Sequence, residues 1–352
     1  MKALIAMSGG VDSSVAALLM KQKGYECVGC TMKLYANEDI NVDATNTCCS
    51  LDDVEDAKQV ARRLDMPHYT FNFQDRFKET VIDDFIHCYE NAMTPNPCIQ
   101  CNKHLKFNEL FNRALVLECD KVVTGHYARI RETENGYQLL KGLDDNKDQS
   151  YVLYNMTQEE LAHTMLPLGE YSKDEVRKLA EENGFINANK PDSQDICFVP
   201  DGDYASVIRH FTGKEYVPGD FVDMDGNVLG THKGIIHYTI GQRKGLGISA
   251  EHPLYVVKLD VENNRVILGK NEDLFSKEVK VENINWINPV EDKIICKAKI
   301  RYRMKEQPCT VEKTGETSAI ITFDEPQRAA TPGQSAVFYD KDVVLGGGII
   351  TF

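Results

Sequence analysis

Short apolar runs alternate with amphipathic stretches through the first half of the chain. "KALIAM" (residues 2–7) is an apolar run ended by Ser8-Gly9-Gly10, and "DSSVAALLMKQKG" (12–24) follows with Val15, Leu18 and Leu19 at helical spacing and Gly24 as its stop. "ECVGCTMKLY" predicts a second strand. "SLDDVEDAKQVARRLD" predicts a helix with Ser50 as N-cap, acids in its first turn where the helix dipole favours them, and Val54, Ala57, Ala61 and Leu64 facing inward. "HYTFNF" (68–73) and "DKVVTGHY" (120–127) are further strand candidates. Strands separated by amphipathic helices imply a parallel sheet with helices on both faces. "SKDEVRKLAEENG" (172–184) predicts another helix, opened by a capping box of Ser172 and Glu175 and stopped by Gly184.

After about residue 205 the pattern changes. Gly-rich turns such as "MDGNVLG" and "GQRKGLG" separate strand-like runs ("YVVKLD", "RVILG", "KAKIRYRM", "SAIITF", "SAVFYD"), and helical patterns disappear. The expected organisation is an α/β N-terminal domain over residues 1–205, a small β-rich central domain over 206–278 and a C-terminal β-barrel over 279–352. There is no internal repeat and no low-complexity segment. A length of 352 residues fits two or three domains, and 42% hydrophobic with 27% charged residues fits soluble globular ones. No apolar stretch approaches the roughly 20 residues of a membrane span, and the N-terminal run is too short for a signal segment. No membrane partner is therefore expected. Eleven cysteines without an export signal point to a reducing, cytoplasmic setting, where catalytic or metal-binding thiols outweigh a disulfide framework. The net charge of −14 argues against non-specific nucleic-acid binding by the whole chain and leaves room for a local basic surface.

Three features carry candidate chemistry. "SGGVDSS" (Ser8–Ser14) joins the first strand to the first helix. Its glycines admit close backbone approach, its amides and the helix N-terminus aim positive charge at an anion, and Ser13 and Ser14 can add hydroxyl donors. It lacks G-K-[ST], so it is not a Walker A loop. Cys98 and Cys101 stand in C-x-x-C spacing within "TPNPCIQCNKHLKF"; alone, the spacing fits half a zinc site, a redox couple, part of an iron–sulfur site or one reactive thiol. In "KAKIRYRMK", Lys297, Lys299, Arg301, Arg303 and Lys305 fall on odd positions, which on a strand would place five cations on one face. A polyanion would relieve their repulsion. Arg243 and Lys244 add charge in a Gly-rich loop.

The Ser8–Ser14 loop resembles the PP-loop of ATP pyrophosphatases, which split ATP between the α and β phosphates. "CNKHLKF" (101–107), "TGHYAR" (124–129), "KDQSYVLY" (147–154), "DSQDICFV" (192–199), "YTIGQRKGLGI" (238–248) and "RAATPGQSAVFY" (328–339) together resemble the tRNA-specific 2-thiouridylases, along the whole chain. That resemblance implies ATP-dependent replacement of O2 of the wobble uridine (U34) by sulfur. A uracil C2 carbonyl is a poor electrophile with a poor leaving group. Adenylation of its oxygen cures the second fault, and a sulfur nucleophile then displaces AMP.

By the same resemblance, ATP contacts fall on Ala6, Met7, Ser8, Gly9, Gly10, Val11, Asp12, Ser13, Ser14, Met32 and Gly125, with Asp12 linked to Mg2+. Contacts to tRNA fall on Asn96, Pro97, His126, Lys147, Asp148, Gln149, Arg301, Tyr302 and Gln334. Cys197 would carry the persulfide that attacks C2. Cys101, just before a helix-like run where a lowered thiol pKa is expected, would attack the bridging sulfur and leave a Cys101–Cys197 disulfide. Partners implied are tRNA of the Lys, Glu or Gln type and a sulfur donor, whether a cysteine desulfurase, a sulfur carrier protein or sulfide. Cys27, Cys30, Cys88, Cys119, Cys296 and Cys309 read as buried small hydrophobes, and Cys48-Cys49 have no assignment.

The chain departs from the family at one point. Many members have Asn-Pro-Asp, with the aspartate as general acid/base, where this chain has Asn96-Pro97-Cys98. Cys98 could carry the proton, stand by, or join Cys101 and Cys197 in a [4Fe–4S] cluster with one open iron. The persulfide and cluster routes stay open at this level, whereas no second C-x-x-C or His pair completes a zinc site. Two other readings compete: a PP-loop ligase for a small metabolite, which would not need the basic strand or Cys197, and a non-catalytic RNA-binding module.

Overall fold

The apolar runs of the first half become the core of a parallel sheet in the computed structural model, which describes residues 1–35, 51–191, 196–199 and 201–352. In chain order the first strands are β1 (Lys2–Ala6), β2 (Glu26–Lys33), β3 (His68–Asn72), β4 (Lys121–Val123), the hairpin β5 (Ala128–Thr133)–β6 (Gly136–Lys141), and β7 (Thr164–Met165). The sheet order is β3-β2-β1-β4-β7, all parallel, with β1 central. Parallel strands covered on both faces read as continuous apolar runs, and Ala3, Leu4 and Ile5 are wholly buried. The helix Val11–Gln22 packs Val15, Ala16 and Leu19 into this core beside Val176 and Ala180 of the helix Lys173–Glu182. The predicted capping box at that second helix forms: Ser172 Oγ accepts from Glu175 N at 3.3 Å, and Glu175 Oε2 accepts from Ser172 N at 2.7 Å. The helix Leu51–Arg63 buries Ala57 and Ala61, while its expected cap, Ser50, lies outside the described residues.

The chain divides into two compact units: residues 1–81, 98–202 and 341–345, and residues 82–97, 203–340 and 346–352. The second unit begins its β structure with β8 (Gly219–Val222), β9 (Val228–His232), β10 (Tyr255–Asp260) and β11 (Arg265–Gly269), ordered β10-β11-β8-β9. It continues with β12 (Phe275–Trp286), β13 (Lys293–Lys299), β14 (Gln307–Gly315), β15 (Ser318–Arg328), β16 (Ser335–Asp340) and, from Gly346 on, β17 (Val343–Ile350). These strands run in the order β12-β15-β14-β13-β16-β17, and β12 pairs back onto β17, so six described strands close a barrel.

Two expectations are corrected. Helical structure does not end at 205: Tyr204–Thr212 is a helix, with Asp203 capping Ser206 N and Gly213 in the left-handed conformation after its end. Nor does the alternating stretch 297–305 form one strand. β13 stops at Lys299, Ile300 is buried, and residues 301–304 turn toward β14. A barrel strand must turn where its hairpin does, and that length is set by its neighbours rather than by its own alternation.

Candidate active site

β1 and β4 end side by side, and the loops that leave their carboxyl ends carry the first group of candidate residues, the usual place for ligands in an open α/β sheet. After Ala6 and the buried Met7, the Ser8–Ser14 loop is a self-bonded turn. Ser8 N donates to Ser13 Oγ at 3.2 Å, and the Ser13 and Ser14 hydroxyls each donate to Gly10 O at 3.0 Å. The hydroxyls expected to reach an anion instead hold the loop in shape. Gly9 has φ +76°, and a Cβ there would lie 2.3 Å from Asp53 O, so both conformation and space require glycine. Gly125, after β4, leaves no room for a Cβ against the backbone of Asp12 and Ser13, 2.9 Å away. The ATP candidates of the two loops therefore stand together, with Val11 buried behind them. Met32, the remaining one, lies half-buried near the end of β2.

Two polar residues at this site were not foreseen. Asn187, 2% exposed, donates to Gly9 O at 2.8 Å and Ser14 Oγ at 2.9 Å. Lys173, also buried, donates to both Asp12 oxygens at 2.7 and 2.9 Å, and Tyr127 OH donates to Asp12 Oδ1 at 2.7 Å. A signal for Lys173 was present. A lysine in the first turn of a helix opposes the dipole, so its charge needs a partner elsewhere. With both carboxylate oxygens held by Lys173, Asp12 does not fit the role of a direct Mg2+ ligand.

The next group lies on a continuous helical run, Pro97–Cys101, a π-helical stretch Asn102–Glu109, and Leu110–Val116. Proline at the first helical position costs no hydrogen bond. Cys98 is exposed and Cys101 half-buried one turn later. The expected lowering of the Cys101 pKa is reversed: burial pushes the thiol up to about 11, with the Lys106 ammonium opposing. Cys101 sits inside the helical run rather than before it, so it receives little of the N-terminal field. Cys197 is half-buried, and its carbonyl accepts from Tyr35 OH at 2.9 Å. The adjoining Phe198 packs edge-on against Phe77. Residues 192–195 of that motif, like Cys48 and Cys49, lie outside the described residues.

Among the described residues no three His, Cys, Asp or Glu side chains are gathered as metal ligands. Cys98, Cys101 and Cys197 do not form such a set. Cys27, Cys30, Cys88, Cys119, Cys296 and Cys309 are all buried, as expected of small hydrophobes.

His126 is buried between Thr124 Oγ1, 2.7 Å from Nδ1, and Lys106 Nζ, 3.5 Å from Nε2. Burial first, and Lys106 second, hold its pKa well below the usual range, so the ring is neutral at pH 7. Asp148 and Gln149, expected at tRNA, are turned inward. Asp148 Oδ1 accepts from Gly142 N and Ser150 N, and Gln149 Oε1 from Tyr127 N at 3.0 Å. Lys147 is half-buried on the same loop.

In the second unit, Lys297 is exposed and Lys299 lies over the Tyr339 ring at 5.2 Å. Arg301 Nη2 donates to Ile240 O, Ala329 O and Thr331 Oγ1 at 2.8–3.3 Å, whereas Tyr302, Arg303 and Lys305 are exposed on the turn. Arg243 and Lys244 are exposed too. Gln334 Nε2 donates to Thr94 O at 3.0 Å and Pro95 O at 3.1 Å; next to these, Asn96 is half-buried and Pro97 buried.

Three family models match the chain: a tRNA methyl transferase HUP domain over residues 1–201, a tRNA methyl transferase PRC-barrel domain over 205–270, and an aminomethyltransferase beta-barrel domain over 276–350. The tRNA-specific 2-thiouridylase MnmA of Clostridioides difficile is 52% identical over 99% of this chain and 98% of its own length. MnmA 2 of Caldanaerobacter subterraneus is 51% identical over 99% of this chain and 97% of its own. Among solved structures, NMN synthetase from Francisella tularensis aligns with a TM-score of 0.35 at 18% identity, covering 60% of this chain and 77% of that one.

Proposed function

The chain belongs to the tRNA-specific 2-thiouridylase family, and from that membership we propose that it thiolates C2 of the wobble uridine of tRNA at the expense of ATP, in the cytoplasm. What carries the reading within the molecule is the Ser8–Ser14 loop at the carboxyl edge of the sheet, in one unit with the half-buried Cys101 and Cys197. The loop amides and the N-terminus of the helix Val11–Gln22 supply an anion cradle for the phosphates of ATP. Uridine O2 attacks the α-phosphorus, pyrophosphate leaves, and an O-adenylated base results.

The terminal sulfur of a Cys197 persulfide then adds at C2 and expels AMP. Cys101, as thiolate, attacks the Cys197 sulfur. The S–S electron pair moves to the sulfur on C2, which leaves as the thiocarbonyl, and a Cys101–Cys197 disulfide remains for a thiol reductant to open. A sulfur donor renews the persulfide. Lys106, which opposes the rise of the Cys101 pKa, favours the thiolate this step needs. The neutral His126 offers tRNA no charge, so phosphate attraction falls to the exposed Arg303, Lys305, Arg243 and Lys244. The substrate set proposed is tRNA of the Lys, Glu and Gln type.

The test is incubation with ATP, a persulfide donor or sulfide, a thiol reductant and unmodified tRNA under anaerobic conditions, followed by digestion and mass analysis. 2-Thiouridine with equimolar AMP is expected, abolished in Cys197→Ser and Cys101→Ser. No 2-thiouridine from the wild type overturns the reading. Retained activity in Cys98→Ala without iron absorption supports the persulfide route; loss of both activity and an iron absorption band would replace it with the cluster.

A further inference from the structure

The segment Thr94-Pro95-Asn96-Pro97 leads directly into the helical run that carries Cys98 and Cys101. Its two prolines lack N–H groups, so the four residues have only two backbone donors. Thr94 and Asn96, each before a proline, are driven to extended backbone. Such a strap cannot fix its own register and depends on groups from outside it.

Those groups come from one loop of the barrel, residues 331–334. Thr94 N donates to Pro332 O at 2.8 Å, and the single amide of Gln334 donates to both Thr94 O at 3.0 Å and Pro95 O at 3.1 Å. Gly333, at φ +88°, has Met93 Cβ and the Thr94 backbone 2.9 Å from where a Cβ would stand. The loop is itself pinned: Gly333 N donates to Ile350 O at 2.9 Å, and Ile350 N donates to Gln334 O at 2.8 Å. We propose that Gln334 is a positioning residue that holds the Thr94–Pro97 strap in register and so sets the presentation of Cys98 and the start of the cysteine-bearing helix. This rests on the reading above only in making that helix catalytic. The side chain assigned to RNA by family resemblance already spends its amide on the protein, before any RNA binds.

Purified protein without tRNA or ATP provides the test. In Gln334→Ala, and in Gln334→Glu, whose carboxylate faces two carbonyl oxygens, amide exchange across 94–101 should quicken about tenfold, the loss of two modest hydrogen bonds. Alkylation of Cys98 should quicken with it, and in turnover kcat should fall more than KM for tRNA rises. Should a Gln334 variant fail to fold, Gly333→Ala, which drives the loop into Met93 and Thr94, must give the same exchange signature. If both exchange and alkylation match the wild type while tRNA binding weakens, Gln334 is an RNA contact and the proposal is wrong. Neither readout requires thiolation activity, so failure of the assigned reaction would be distinguishable from failure of this inference.

Discussion

Replacing Lys173 by methionine removes the ammonium that spans both Asp12 oxygens and keeps most of the stem. At the observed 2.7–2.9 Å, and an effective dielectric of about 20, the attraction between the two charges is about 6 kcal/mol. Against it stand about 2 kcal/mol of lysine side-chain entropy and the desolvation of a residue only 7% exposed. The Asp12 side chain is 33% exposed, so water can partly re-solvate it once the lysine is gone. The expected loss is therefore about 2–3 kcal/mol, below the 3–5 typical of a fully buried pair. For a unit of this size that lowers Tm by about 5–10 °C.

A double-mutant cycle with Asp12→Asn measures the pair itself, with an expected coupling of about 1.5–2.5 kcal/mol. Urea unfolding should be followed by far-UV circular dichroism, because the single tryptophan, Trp286, lies in the barrel and reports on the other unit. Additive single mutants, with coupling under about 0.5 kcal/mol, would refute the reasoning and leave Lys173 as packing alone.

Further outcomes follow from the same geometry. Because burial raises the Cys101 thiol from its ordinary 9 to about 11, its alkylation should climb about tenfold per pH unit from pH 7 to 10, and Lys106→Met should move the profile higher; a plateau by pH 8 would contradict the burial. The unfolded chain loses that proton first, so the contribution of Cys101 to stability should be intact below pH 9 and fall between about 9 and 11, measurable as urea midpoints of wild type against Cys101→Ala.

Gly9→Ala should cost at least about 2 kcal/mol and remove the ATP-induced thermal shift, because the new methyl meets Asp53 O; Gly24→Ala, at φ +80° with open space, should cost only about 1. Equal effects would show that backbone conformation, not contact, dominates. Arg303→Ala and Lys305→Ala should each lower the salt slope of tRNA binding by about 1 without moving Tm. Arg301→Ala should lower stability by about 1–3 kcal/mol, because it leaves Ile240 O without its side-chain donor and Ala329 O with only the Thr331 hydroxyl.

What was legible was whatever depends on neighbours in the chain. The Ser172–Glu175 box, the strand–loop–helix order around Ser8–Ser14 and the runs 255–260, 265–269 and 335–340 all formed near their predicted bounds. The helix Tyr204–Thr212 was legible too, in Asp203, Ser206 and Gly213, but the surrounding β-rich texture outweighed it. The hairpin β5–β6 is absent from the sequence-based expectations; its second strand, β6, finishes its pairing at residues 343 and 344, some two hundred positions on.

The sequence by itself determined most of the strands and helices and the glycine turn at the loop, and it singled out Cys98, Cys101 and Cys197 as candidate thiols. Each follows from local backbone propensity or from an ordered set of short motifs. Only the tertiary structure decided what those groups face. Lys173 meets Asp12 across 161 positions, Asn187 meets Gly9 across 178, and Gln334 meets Thr94 across 240. The burial that reverses the expected pKa of Cys101 is equally a property of the packed unit. A side chain's partner depends on which segments pack together, and no period of 2 or 3.6 residues carries that information. Alternation in 297–305 could show which residues would share a face if the strand continued, but the barrel's closure set where it ended.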